Sequence, residues 1–110
     1  MDWDDYEYRV RSEIALQHAV DALRHPVRRF VVGMLQVGGT NAGDLHGSIQ
    51  ASFGISIPRA SHHLNVLAKA NIVSVSPDGP WRFYDVRPGS AAALAEWLDD
   101  TGLSANATDR

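Results

Sequence analysis

The chain reads as a series of helical stripes punctuated by glycine and proline, with one stretch where the period changes. Residues 12–24 contain neither Gly nor Pro. Leu16, Ala19, Val20 and Leu23 recur there at i, i+3, i+4 and i+7, which predicts a helix that can begin further back, through Tyr6 and Tyr8. His25-Pro26 interrupts it, because a residue before proline is pushed out of the helical conformation. Pro26 then suits the first turn of a second helix. Its stripe is Val27, Phe30, Val31, Met34 and Leu35, and Gly38-Gly39 ends it. Thr40 or Asn41 caps a short third helix with Ala42, Leu45 and Ile49 inward and Asp44 in the first turn, where the helix dipole favours an acid. After the break at Gly54, Ser56 is an N-cap and Pro58 is tolerated just inside a fourth helix. Its apolar stripe is Ala60, His63, Leu64, Leu67 and Ala68, while Arg59, Ser61, His62 and Asn65 project elsewhere.

From Asn71 the spacing changes. Ile72, Val73 and Val75 predict a strand, Pro77-Asp78-Gly79-Pro80 a turn, and Trp81 to Val86 a second strand. Beyond Pro88-Gly89, residues 90–100 read as a last helix with Ala91, Leu94, Trp97 and Leu98 on one face. The expected fold class is mainly α with a small β-hairpin (α+β), in the order α1-α2-α3-α4-β-β-α5. Residues 1–11 are an acidic extension or the start of the first helix, 12–101 one domain with terminal helices, and 102–110 a flexible tail, most clearly from Ser104 to Arg110. Two helices joined by a short Gly-containing turn and followed by a hairpin make a winged helix-turn-helix. Such a unit lays its second helix in the major groove of DNA, and its hairpin reaches an adjacent backbone or minor groove.

Composition summed over the whole chain opposes that use. The 110 residues suit one domain, and 45% apolar with 21% charged residues excludes collagen-like or largely disordered chains. Ten Lys and Arg against 13 Asp and Glu give a net charge of −3, the wrong sign for a phosphate backbone. The charge is unevenly spread, however. Residues 1–7 carry −4 and residues 89–110 carry −3, while residues 8–88 carry +4. A basic body is hidden between two acidic ends. The absence of cysteine excludes disulfides, thiolate catalysis and Cys-ligated metals. No apolar run approaches the ~18–20 residues of a membrane span. The acidic opening Met1-Asp2-Trp3-Asp4-Asp5 is unlike a signal peptide, so the expected location is cytoplasmic and the sequon at Asn106-Ala107-Thr108 carries no meaning.

The chemistry of the fourth helix and the hairpin fits nucleic acid. Ser56, Arg59, Ser61, His62 and Asn65 supply short donors and acceptors for base edges or phosphates, and Arg82 supplies a charge on the wing. His63 shares a face with Ala60, Leu64 and Leu67, so it reads as a hydrogen-bonded core histidine, whereas His62 faces outward. Arg28 and Arg29 read equally as structural ion-pair partners or phosphate contacts. Trp81, Phe83 and Tyr84 read as hairpin packing. An enzyme is not expected: Ser61, His62 and His63 are helix neighbours whose side chains diverge, whereas a nucleophile and its base must converge.

Three segments also resemble a known family in order and spacing. Ala22-Leu23-Arg24-His25-Pro26-Val27-Arg28-Arg29 is similar to the A-L-x-x-P-x-R junction of the ArsR/SmtB winged-helix transcriptional regulators. Ile55 to Leu67, reading ISIPRASHHLNVL, is similar to their recognition segment L-S-x-P-x-x-S-x-H-L-x-x-L. Ala70-Asn71-Ile72-Val73 with Gly79 and Trp81-Arg82-Phe83-Tyr84 resembles their wing. The resemblance covers about residues 13–100 and implies a homodimer on an imperfect palindrome of double-stranded DNA, most simply a repressor. Its interface would use the first and last helices, here Tyr6, Leu16, Leu94, Trp97 and Leu98. Relatives that respond to metal use thiolates on the third helix or histidines on the last, and this chain has neither. His18 with Asp99, Asp100 and the acidic N-terminus would suit a nickel, cobalt or zinc effector shared across the dimer; no cofactor is required. The alternative is a winged-helix interaction module or co-regulator that acts with a protein partner.

Overall fold

A computed structural model describes residues 2–103. In chain order the elements are α1 (Trp3–Leu23), α2 (Pro26–Leu35), β1 (Thr40–Asn41), α3 (Ala42–Phe53), α4 (Ile57–Lys69), β2 (Val73–Asp78), β3 (Trp81–Val86) and α5 (Ala92–Asp100). The acidic segment from Trp3 is therefore the opening of α1, with Asp4 and Asp5 in its first turn, where the helix dipole favours them. The predicted boundaries are set by side-chain caps. Asn41 Oδ1 accepts the Asp44 N–H at 2.9 Å, and Ser56 Oγ accepts the Arg59 N–H at 3.4 Å. Of Thr40 and Asn41, Asn41 is the cap, and the Thr40 hydroxyl instead donates to the Asp44 carboxylate at 3.1 Å.

Residues 22–90 form one compact unit, and the described parts of 1–21 and 91–110 form a second. The core of the first unit is built from the stripes: Val27, Val31 and Leu35 of α2, Leu45 and Ile49 of α3, Ala60, Leu64 and Leu67 of α4, with Ile72, Val73 and Tyr84 from the sheet side. α4 closes where Asn71 adopts a left-handed φ of 59°. The Ile72 N–H then bonds the Leu67 carbonyl and the Asn71 N–H that of Ala68, a Schellman closure that turns the chain directly into β2.

The hairpin pairs Val73 with Val86 at its base and Asp78 with Trp81 at its tip. Its two-residue loop, Gly79-Pro80, has Gly79 at φ 59°, the combination of positive then proline-fixed negative φ that suits a twisted hairpin. The sheet contains a third strand that the spacing did not predict. β1 pairs with β3 through Thr40 opposite Tyr84 and Asn41 opposite Phe83, giving the order β1-β3-β2.

A further difference concerns the first of the terminal helices. In α1 the buried residues are Ala19 and Ala22, and Val20 of the predicted stripe is exposed. α5 ends in a second Schellman closure, the Leu103 N–H bonding the Leu98 carbonyl and the Gly102 N–H that of Asp99. The rest of the predicted tail, including the sequon, lies outside the described residues. No helix among the described residues is long and apolar enough to cross a membrane.

Candidate nucleic-acid interface

α3 and α4 enclose the turn Gly54-Ile55-Ser56, and α4 presents two chemically distinct faces. Ala60, His63, Leu64 and Leu67 are buried, while Arg59, His62 and Asn65, together with the capping Ser56, are exposed. Ser61 is different. It is half-buried, and its hydroxyl lies 3.1 Å from His46 Nε2, so this side chain ties α4 to α3. Arg82 is exposed on β3, opposite Pro77. Beside it, Trp81 is 62% exposed, which corrects its reading as hairpin packing; Tyr84 is the wing aromatic that is buried.

The buried face of α4 carries an arrangement that sequence spacing did not reveal. His63, 9% exposed, stacks on His25 with ring centroids 4.2 Å apart and planes tilted by 39°. Its Nδ1 has no hydrogen-bond partner among the described residues, so the expected core hydrogen bond is replaced at that atom by ring contact. Burial pushes its pKa down from 6.5 to about 4, and His25, Arg28, His62 and Arg59 push in the same direction. His25 Nδ1 accepts the Val27 N–H at 3.2 Å and so caps α2. Desolvation also lowers the His25 pKa, followed by the charges of Arg28, Arg29, Arg24 and Arg59. Arg29 forms no ion pair among the described residues; its Nη1 donates to the carbonyls of Leu23 at 2.8 Å and Arg24 at 2.9 Å, satisfying the open end of α1. Arg28 is buried. The one signal for this corner was the His-Pro pair followed by two arginines.

In the other unit, α1 and α5 line a cleft of about 220 Å³ whose walls include Tyr8, Glu13, Leu16, Glu96, Trp97 and Asp100. Of the predicted interface residues, Leu16, Leu94 and Leu98 are half-buried, and Tyr6 and Trp97 are exposed, Trp97 by 43%. α5 has no fully buried residue. Asp100 lines the cleft but His18 does not, and among the described residues no three His, Cys, Asp or Glu side chains gather as metal ligands.

No family model matches the chain. The transcriptional repressor SdpR of Bacillus subtilis, however, is 30% identical over 83 residues, spanning 76% of this chain and 88% of the repressor. The chain belongs to the ArsR family of transcriptional regulators. A solved ArsR family transcriptional regulator superposes with a TM-score of 0.70 at 22% identity, covering 81% of this chain and 88% of its own. A homodimeric winged helix-turn-helix DNA-binding domain from Mycobacterium bovis gives a TM-score of 0.63 at 18% identity over 94% and 93% of the two chains. At those identities the two structures establish the winged-helix fold. The chain is accordingly a winged helix-turn-helix regulator of the ArsR family and not an enzyme.

The charge distribution of this ArsR-family regulator sharpens once the two units are known. Residues 22–90 carry seven basic side chains against three acidic ones, net +4. The described parts of the α1/α5 unit carry nine acidic side chains against Arg9 and Arg11, net −7. The helix-turn-helix and wing thus lie wholly on the positive unit.

Proposed function

We propose that this regulator is a dimeric repressor that binds an imperfect palindrome in double-stranded DNA in the cytoplasm. The observation that carries the reading is the exposed row Ser56, Arg59, His62 and Asn65 on α4, with Arg82 on the hairpin, all on the +4 unit. Repression is supported by likeness to SdpR, and dimerisation by the homodimeric M. bovis domain together with the exposed Tyr6 and Trp97 of α1 and α5. Two-fold symmetry sets half-sites one helical turn, about 34 Å, apart. A nickel, cobalt or zinc effector would take His18, Asp99 and Asp100 as donors shared across the dimer, with imidazole and carboxylate ligands suited to those metals.

Binding selection from a random duplex library tests the reading. The expected product is an imperfect palindrome bound with a steep salt dependence, and Arg59→Ala and Arg82→Ala each weaken it. No preference for any duplex over random DNA at moderate salt overturns the proposal. A stoichiometric protein partner recovered alongside that result points to the interaction-module alternative.

A further inference from the structure

We infer that the corner between α1 and α2, built from Arg24 and His25 beside the Arg59 of α4, is an anchor for a DNA backbone phosphate beyond those reached by the recognition helix and the wing. The inference rests on the proposed DNA-binding role.

Four independent features converge on this corner. The ring contact between His25 and His63, at 4.2 Å, holds the corner against the side of α4. The charged groups among the described residues that act on His25 are the guanidiniums of Arg28, Arg29, Arg24 and Arg59, all of one sign. Their commitments differ. Arg29 is engaged by the carbonyls of α1, and Arg28 is buried. Arg24 and Arg59 are exposed, and among the described residues neither guanidinium has a hydrogen bond or an ion pair. Finally, α2 and α4 both begin in this unit with no acid in the first turn, whereas α1 has Asp4 and Asp5 there and α3 has Asp44. The partial positive charge at a helix start is normally met by such an acid. Here it is left to reinforce Arg24, Arg59 and the imidazole.

The position of the corner identifies the anion. A helix about 10–12 Å across fills a major groove of similar width, so what stands beside a recognition helix faces a phosphate strand and not base edges. His25 is suited to that contact while neutral. Because its Nδ1 accepts the Val27 N–H, its proton is on Nε2, and it remains a donor.

The test uses the full chain and two duplexes, the selected operator and a scrambled one, across a range of salt. Arg24→Ala is expected to weaken both duplexes alike, about three- to tenfold at low salt, and to reduce the salt slope by about one. Arg24→Lys retains the slope. Thermal melting of both variants matches the wild type, because the Arg24 side chain is exposed and holds no partner among the described residues. Unchanged affinity and slope in Arg24→Ala overturn the inference. A loss confined to the operator also overturns it, because that is base readout. Failure of the wild type to bind any duplex is read before the variants; it overturns the DNA-binding role and the anchor with it.

Discussion

A histidine packed on another histidine is comfortable only while both are neutral. His63 faces His25, Arg28, His62 and Arg59, and its pKa is held at about 4 against 6.5 in the unfolded chain. The unfolded state therefore takes up a proton first as the pH falls. Stability from this residue is complete above about 6.5 and is lost progressively as the pH drops towards 4; the integrated loss is on the order of 3 kcal/mol. His25 acts in the same direction. Urea unfolding between pH 4 and 8 should show the decline, and His63→Leu, which removes the titrating group but keeps an apolar side chain, should flatten it. An equally steep decline in the variant would place the acid sensitivity elsewhere. The inward orientation of His63 was legible from its spacing with Ala60, Leu64 and Leu67. Its partner was not, since His25 is far away in sequence and sits at a break between two helices.

Among the elements, those with a period were legible and those held by a single close approach were not. α2, α4 and the hairpin follow their stripes to within a residue or two. β1 is two residues long and has no pattern to read; it exists because Gly39 lets the chain pass against β3. A Cβ on Gly39 would collide with the Cζ and Cε1 edge of the Phe83 ring and lie 2.8 Å from the Tyr84 carbonyl oxygen, an approach that forces backbone or ring to move. Gly47, on the exposed side of α3, has nothing within 4 Å of the same position. One substitution should therefore have opposite effects at the two sites. Gly39→Ala is expected to cost about 1–3 kcal/mol, lowering the melting temperature by several degrees. Gly47→Ala should gain roughly 0.5–1 kcal/mol through helix propensity. Melting curves of the two variants check this, and equal shifts of the same sign would show that β1 does not depend on the close approach. Other local gaps have the same origin. The spacing sets Ser61 off the apolar stripe but cannot see its contact with His46 on the neighbouring helix. Strand spacing points Trp81 to packing because it cannot tell the tip of a hairpin from its base.

For the whole molecule, the net charge of −3 is the sum of two opposed surfaces, and they should respond oppositely to salt. The sequence divided the charge at residues 7 and 89; the structure places Arg9, Arg11, Glu13 and Asp21 with the acidic side, leaving +4 on residues 22–90 and −7 on the described α1/α5 unit. DNA binding by the first surface releases counterions and must weaken as salt rises. A dimer through α1 and α5 brings two strongly acidic surfaces together, with apolar burial by side chains such as Trp97 opposing their repulsion. Raising sodium chloride from about 50 to 500 mM shortens the screening length from roughly 14 to 4 Å and removes most of that repulsion. Sedimentation equilibrium over this range should show the dimer tightening while operator affinity falls, and Trp97→Ala should weaken the dimer at every salt concentration. A wild-type dimer that loosens with salt would have to be held by opposite charges, and α1 and α5 offer too few cations for that. That outcome would place the interface on the basic unit and leave the acidic helices free for a different partner.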